Sequence, residues 1–359
     1  MAVRPLENRQ RAGLRQQINH ALPAAVIGII LILAVLTWLT SVVGNPPLLL
    51  VDIADRVSTF SAIFLGIFIE AAPYLLLGTL ASGLVEEFVD RDELSRLLPK
   101  NKAAGAVVGG LMGLFFPVCE CGVVPLTRRL FRKGLPLSVG VSFLLAAPVL
   151  NPIVIASTYS AFGPGVIFWG RLGLSLAIAV ATGIIFSMQS DANSLLQPVS
   201  QIPDAAACEL HPEPLKETRR RPLGTRLRRV LVVASDEFFE MGRYLIIGGI
   251  LAALMQTLIP QSSLLSVGQG PLFSVLVMIL LAVVLSICST VDAFIALAFT
   301  TTFSSGSILA FLVFGPMVDI KSTIMFLQVF RKRTVVYLIL LPLMMTILAT
   351  VAINTFGGM

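Results

Sequence analysis

Long apolar runs separated by short polar loops make up most of the chain. Each run is about 20 residues or longer, the length that a helix needs to cross a bilayer, and none has the two-residue alternation of a membrane β-strand. Since backbone polar groups must be satisfied internally in hydrocarbon, the pattern predicts an all-α polytopic membrane protein. The predicted apolar segments are 22–43, 57–85, 103–131, 135–160, 163–188, 230–258, 271–303, 306–329 and 334–355.

Two of these segments, 103–131 and 271–303, are interrupted near their middle. The first contains the run PVCECG and the second contains the run CSTVD. If 103–131 crossed the membrane fully, the basic residues that follow it would lie outside, against the preference of Lys and Arg for the cytoplasmic side. We therefore predict that both segments are re-entrant, broken-helix hairpins, which leaves about seven spanning helices. The alternative is about eight to ten ordinary spans with broken helices.

An internal repeat supports this topology. Its three anchors recur in the same order at offsets of 170, 169 and 168 residues: Phe68–Gly78 with Phe238–Gly248, Pro117–Cys121 with Ser286–Thr290, and Ala147–Pro152 with Gly315–Ile320. In the predicted topology the chain crosses the membrane three times between the members of the first pair, and an odd number of crossings inverts the second copy. Inverted repeats with discontinuous helices are characteristic of secondary transporters.

The repeat divides the chain into five predicted parts. They are a cytoplasmic N-terminal tail (1–21), an extra transmembrane helix (22–43), repeat 1 (57–188), a cytoplasmic basic linker (189–229) and repeat 2 (230–355). Only 13% of the residues are charged, against about 25% in soluble proteins. In a membrane protein the net charge of +6 indicates orientation rather than nucleic-acid binding. We expect a membrane protein with a cytoplasmic N-terminus, and the family resemblance described below implies the bacterial inner membrane.

The interruption in the first hairpin has the composition of a binding site. Irregular backbone at membrane depth is tolerated where it lines a cavity or is covered by protein. We expect Pro117 to end one half-helix, Gly122 to permit the turn, and Pro125 to lie in the first turn of the next half-helix. The predicted substrate-binding residues are Cys119, Glu120, Cys121, Asn151, Cys288, Ser289, Thr290 and Asp319.

The cysteine thiols of the two hairpins indicate which class of solute this site would bind. Cys119 and Cys121 lie on the first hairpin, and the topology brings Cys288 to the facing tip. Two or three thiolates suit a soft solute such as trivalent arsenic, and the same three residues are candidate ligands for a metal such as Zn²⁺. The alternative is that they are inert, buried small hydrophobic residues. Asn151 and Asp319 either bind the solute or cap broken helices.

Carboxylates within the apolar segments are candidates for proton coupling, because ionisable residues at membrane depth are costly. Glu70 and Glu240 occupy equivalent positions of the repeat, and Asp292 follows the second interruption. An apolar environment favours the protonated form of a carboxyl group, which can then take up and release protons. The alternative is an ion-pair role, for which the candidate cations are Arg243, Arg171 and Lys321.

The run FFPVCECGVVPLTRRLFRKGLP, followed by FLLAAPVLNPIV, resembles the bacterial predicted-permease family that includes YraQ and the organoarsenical efflux permease ArsP. The likeness extends from about Phe60 to Phe356. It implies a multipass permease, and export of trivalent organoarsenicals is known for one branch, while divalent metal is a candidate solute for others. Members often carry Ser between the two cysteines, where this chain has Glu120.

These observations favour a secondary permease that exports a small thiophilic solute, such as a trivalent organoarsenical, in exchange for protons. One alternative is a divalent metal-ion permease, working alone or with a partner subunit. Another is a membrane thiol oxidoreductase that uses Cys119 and Cys121, although such enzymes favour the C-x-x-C spacing. We expect no enzymatic activity, no cofactor and no nucleic-acid partner. Lipid is the expected surrounding, and assembly as a homo-oligomer or with a partner permease subunit is compatible with the sequence.

Overall fold

The computed structural model describes residues 48–89, 99, 101–116, 118–188, 223–258 and 270–356, with side chains from residue 54 onward. The predicted tail (1–21), the predicted helix 22–43 and most of the predicted linker lie outside the described residues. The chain divides into two compact units, Met1–Thr59 and Phe60–Met359. All tertiary contacts discussed below belong to the second unit.

The described residues form twelve α-helices and no β-strand. The first six are α1 (Leu48–Phe88), α2 (Lys102–Met112), α3 (Glu120–Arg132), α4 (Leu137–Leu150), α5 (Pro152–Phe162) and α6 (Val166–Met188). The second six are α7 (Leu223–Leu258), α8 (Pro271–Leu285), α9 (Asp292–Leu297), α10 (Ser305–Met317), α11 (Ile320–Val329) and α12 (Lys332–Phe356). Each set consists of a long helix, two successive pairs of shorter helices, and a final long helix.

Five stretches of the described helices are long and apolar enough to cross a membrane: Ala54–Phe88, Val166–Met188, Leu223–Leu258, Ser305–Val329 and Lys332–Thr355. A sixth is the pair α4–α5, which bends by 42° at its break. The protein is therefore an all-α polytopic membrane protein, as the apolar pattern predicted. These six stretches coincide with six of the seven predicted spans.

Both segments that were predicted to be interrupted are broken into two helices. The first break separates α2 from α3, and the second separates α8 from α9. The first break does not have the predicted local structure. Helix α2 already ends at Met112, and Gly122 and Pro125 both lie inside α3.

Gly122 is helical because it serves a helix crossing rather than a turn. A Cβ atom added to Gly78 of α1 would lie 2.8 Å from the carbonyl oxygen of Gly122. Two glycines therefore let α1 and α3 approach backbone to backbone, a common use of small residues in membrane helices. The prediction of a turn at Gly122 was wrong because a contact that is distant in sequence sets the conformation.

Helix α7 begins at Leu223, so the last arginines of the predicted linker are helical. The Arg226 guanidinium donates hydrogen bonds to the side chain of Glu87, at 3.2 Å, and to the Glu87 carbonyl oxygen, at 2.9 Å. It also stacks on the Phe88 ring, 4.2 Å from the ring centroid. These contacts with the end of α1 stabilise the additional helical turns.

The two halves of the chain are packed crosswise. Helix α3 of the first half packs against α11 of the second, and α9 of the second half packs against α5 of the first. The burial patterns of α1 and α7 also correspond: residues 70–79 and 240–249 have the same sequence of buried, half-buried and exposed positions. This arrangement agrees with the internal repeat and places both helix breaks in the protein core.

Candidate solute-binding site

The candidate site is formed by two short segments, which we call tip 1 (residues 118–121) and tip 2 (residues 286–290). In tip 1, Cys119 is the N-cap residue of α3, without a capping hydrogen bond from its side chain. In tip 2, Ser286 ends α8 in the left-handed conformation, with φ of 46°. This conformation is unfavourable for a residue other than glycine and persists only where its surroundings hold it.

Each tip is tethered by the residue at the break of the following helix pair. In the first half, the Asn151 amide donates to the carbonyl oxygen of Val118 at 3.3 Å, and its Oδ1 accepts the backbone N–H of Ile153. In the second half, the Ser286 hydroxyl donates to Oδ2 of Asp319 at 2.6 Å. Asn151 and Asp319 thus have equivalent structural roles in the two halves.

The helix-capping alternative for these two residues is confirmed. Asn151 caps α5 through Ile153, and Asp319 caps α11 with a reciprocal pair of hydrogen bonds to Ser322. Capping satisfies backbone N–H groups that a helix start leaves unpaired, which is a strong requirement inside a membrane. Direct binding of a solute by these residues stays a prediction.

Three thiols meet between the tips. Cys119, Cys121 and Cys288 are all reduced and buried. The Cys119 thiol interacts with both the Cys121 thiol and the Cys288 thiol. The predicted meeting of cysteines from the two halves is therefore present. Among the described residues, no group of three or more His, Cys, Asp or Glu side chains is arranged to hold a metal ion.

A buried group of three charges borders the thiols. The Lys321 ammonium lies 3.8 Å from Oε1 of Glu120 and 3.5 Å from Oδ2 of Asp319. The three side chains are at most 4% exposed. The sequence identified Lys321 only as a candidate ion-pair partner and did not place it at the site. The available signal was its position two residues after Asp319, where the first half has Ile153 after Asn151.

Two buried oxygen atoms at the tips lack a protein hydrogen-bond partner. Oε2 of Glu120 and Oγ of Ser289 have no hydrogen-bond partner among the described residues. Glu120 and Ser289 occupy equivalent positions of the two tips. Buried polar atoms are nearly always hydrogen-bonded in folded proteins, and exceptions call for a water molecule, an ion or a functional explanation.

One of the three predicted proton-coupling carboxylates lies beside a tip. Glu70 is half-buried, and its Oε1 accepts a hydrogen bond from the Thr290 hydroxyl at 3.3 Å. This contact brings α1 to tip 2. Thr290, a predicted substrate-binding residue, therefore contacts a carboxylate that was predicted to take part in proton coupling.

The other two carboxylates are held by arginines. The Arg171 guanidinium binds both oxygens of Asp292, at 3.0 and 2.6 Å, and also donates to the Thr158 hydroxyl at 2.8 Å. Glu240 accepts a hydrogen bond from Arg128 of α3 at 2.9 Å. The ion-pair alternative therefore holds for Asp292, whose partner Arg171 was one of the candidate cations, whereas Glu240 pairs with Arg128, which was not a candidate cation. Arg243 is exposed, and its guanidinium lies 5.9 Å from the Tyr244 ring centroid.

Comparison with known proteins gives a consistent result. Residues 56–355 match a family model described as "Predicted permease". The chain is 48% identical to the UPF0718 protein YcgR of Bacillus subtilis over 281 residues, which is 78% of this chain and 91% of YcgR. It is 39% identical over 273 residues to a Streptococcus mutans protein named as a two-component membrane permease complex subunit, covering 76% of this chain and 87% of that protein. No solved structure gives a match.

Proposed function

Because the chain belongs to the ArsP family of predicted permeases, we propose that it is a secondary permease that exports a small thiophilic solute in exchange for protons. A trivalent organoarsenical is the proposed representative of the solute class. The observation that carries the proposal is the meeting of three reduced thiols from both tips at a buried point. Soft thiolate ligands select soft, thiophilic partners.

The thiols can bind such a solute without any change of oxidation state. For methylarsenite in its dihydroxy form, two cysteine thiols replace two hydroxyl groups on arsenic. Two As–S bonds form, two As–O bonds break, and each thiol proton leaves with a hydroxide as water. Hydrolysis reverses the exchange and releases the solute on the other side.

The tethers give this exchange a defined geometry. Asn151 fixes tip 1 and Asp319 fixes tip 2, so the sulfur atoms of the two halves are held by the helix breaks rather than by loose loops. Binding sites gain from ligands whose positions are set in advance, because less ordering is needed when the solute arrives. A change in the relative position of the two halves would then change the spacing of the sulfur atoms.

Proton exchange is assigned to the predicted carboxylates. Glu70 contacts a neutral hydroxyl group of tip 2, whereas Glu240 and Asp292 are each held by an arginine. We therefore place Glu70 first as the group that gains and loses a proton. Glu240 and Asp292 would contribute by exchanging partners between transport states.

Transport into everted membrane vesicles tests the proposal. Vesicles that contain the protein should accumulate methylarsenite when a proton gradient is imposed and should not do so when the gradient is collapsed. The double variant Cys119→Ser with Cys121→Ser should lose this accumulation. Cys208→Ser, the same substitution in the predicted linker, is the matched control. Full transport by the double variant would remove the thiols from the mechanism, and loss in the control would show a nonspecific effect.

Glu70→Gln tests the coupling step separately. We expect this variant to lose accumulation driven by the proton gradient, while a vesicle preloaded with methylarsenite still exchanges it with the medium. Gradient-driven accumulation at the unmodified rate would exclude Glu70 as the coupling group. Glu240→Gln and Asp292→Asn serve as comparisons for the two arginine-bound carboxylates.

We also propose that this chain acts together with a second membrane subunit, because its Streptococcus mutans relative is named as a subunit of a two-component permease complex. The experiment is to express the chain alone in a host that lacks it, and to compare its methylarsenite accumulation with that of the same amount of the chain in its native membranes. Equal activity in the two membranes would refute the need for a partner. A divalent cation instead of an arsenical is the competing solute, and the charge of the site bears on that choice.

A further inference from the structure

We propose that Lys321 is the residue that sets the charge of the solute, so that the site accepts uncharged thiophilic molecules and excludes divalent cations. The inference deepens the proposed function, on which the location of the solute site rests. Its basis is the position of the Lys321 ammonium, which lies close to both Glu120 and Asp319, the two buried carboxylates that border the thiols.

The geometry makes the ammonium an internal counter-ion. It lies 3.8 Å from Glu120 and 3.5 Å from Asp319, and all three side chains are shielded from water. Asp319 is further engaged by the Ser286 hydroxyl and by the backbone N–H of Ser322. Charges interact most strongly at such separations in a poorly solvated interior. A dication that approached Glu120 would therefore meet the ammonium at close range.

Without the ammonium, Glu120 and Asp319 would be two buried carboxylates beside the thiols with no cation between them. The side chains are not arranged around a metal ion with the ammonium in place, but a dication that replaced it could neutralise both carboxylates, and sulfur and oxygen ligands bind Zn²⁺ and related soft or borderline cations. An uncharged arsenical makes a different demand, since it needs sulfur ligands and brings no charge to compensate. The lysine thus distinguishes between the two solute classes that the thiols alone leave open.

The start of the helix does not require a lysine at this position. In the first half of the chain, the corresponding residue after the helix break is Ile153, and α5 begins there with a side-chain N-cap from Asn151, as α11 begins with one from Asp319. Gly248 of α7 lies against the backbone of Lys321, and a Cβ added to that glycine would lie 2.9 Å from the Lys321 Cα. The crossing of α7 and α11 therefore contacts the Cα, Cβ and Cγ atoms of residue 321, which a glutamine also has, rather than the ammonium. We infer that the lysine side chain was selected for its charge.

Equilibrium binding of Cd²⁺ and Zn²⁺ to the purified full-length protein tests this role. The wild-type protein and the control Lys332→Gln, which alters an exposed lysine at the start of α12, should show no tight cysteine-dependent site. Lys321→Gln should bind Cd²⁺ more tightly by on the order of tenfold or more, since it removes a like-charge contact. Adding Glu120→Gln to Lys321→Gln should reverse the gain.

Two results would overturn the inference. One is tight Cd²⁺ binding by the wild-type protein that is lost in the double variant Cys119→Ser with Cys121→Ser. The other is a folded Lys321→Gln protein that binds Cd²⁺ no better than the Lys332→Gln control. Either result would show that the ammonium does not control access of a dication to the thiols.

A folding defect in Lys321→Gln is also informative. The substitution leaves two buried carboxylates without their cation, which destabilises the folded protein. A metal ion that binds only the folded state raises the unfolding temperature. Cd²⁺ should therefore raise the unfolding temperature of Lys321→Gln and leave that of Lys332→Gln unchanged, and failure to do so would refute the proposal. The metal-binding experiments do not depend on arsenical transport. If the wild-type protein does not accumulate methylarsenite, the proposed function is refuted. The role of Lys321 is still decided by the Cd²⁺ binding measurements.

Discussion

The contact between Gly78 and Gly122 provides a direct test of the packing that positions tip 1. Substituting Gly78 by Ala adds a Cβ that would lie 2.8 Å from the carbonyl oxygen of Gly122 and 2.9 Å from its carbonyl carbon. Ordinary contacts of this kind are 3.4–4 Å long. Since both partners are backbone atoms, no side chain can move away, and α1 and α3 must separate by about 0.6 Å or more to lengthen the 2.8 Å approach to 3.4 Å.

The expected cost follows from this overpacking. Forcing an extra methyl group into a filled contact destabilises a protein by about 1–3 kcal/mol. Gly66→Ala is the matched control, because it lies on the same helix and its added Cβ would have no atom within 4 Å. Replacing glycine by alanine in a helix is itself favourable by about 0.5–1 kcal/mol. Both variants gain this contribution, so it cancels in the comparison, and they should differ by about 1–3 kcal/mol.

Thermal unfolding of the purified protein in one detergent measures this difference. For a chain of this size we expect Gly78→Ala to unfold several degrees below Gly66→Ala, at about 2–4 °C for each kcal/mol. Movement of α3 would also displace Cys119 and Cys121, so Gly78→Ala should bind methylarsenite more weakly than Gly66→Ala does. Equal unfolding temperatures for the two variants would refute the close crossing of α1 and α3.

Two further predictions concern the buried ion pair and the topology. Asp292→Asn should destabilise the protein by about 3–5 kcal/mol because it leaves the buried Arg171 uncompensated. Arg171→Met should cost less, since the remaining carboxyl group can neutralise itself by binding a proton, whereas a guanidinium cannot lose one. In thermal unfolding, the double variant should recover most of the stability that Asp292→Asn loses, and additive losses would contradict the pairing. In a background without Cys119, Cys121, Cys208 and Cys288, single cysteines at positions 132 and 331 should react with a membrane-impermeant maleimide from the same face, and labelling from opposite faces would refute the two re-entrant hairpins.

The long-range features of the fold were accessible from the sequence because hydrocarbon imposes simple rules on length and polarity. The all-α class, six described spans and both interrupted segments follow from the apolar pattern. The candidate site with its thiols was also recognisable, because PVCECG is an unusual composition for a membrane helix. The alignment of Pro117–Cys121 with Ser286–Thr290 in the internal repeat then pointed to Cys288.

The details of the site were not accessible because they depend on residues far apart in the chain. Local rules assign a turn to Gly122, yet its contact with Gly78 makes it helical. The left-handed Ser286 depends on Asp319, 33 residues away. Lys321 became a site residue only when α11 was seen to pack against α3. None of these pairings leaves a periodic signal in the sequence.

The crosswise packing of the halves has a consequence for how the protein is made. Helices α3 and α5 are synthesised early, but their partners α11 and α9 belong to the second half. The first half, once inserted, therefore lacks these packing partners until the rest of the polypeptide leaves the ribosome. Neither half alone contains all three thiols, so two separately expressed fragments would bring the three thiols together only by associating within the membrane.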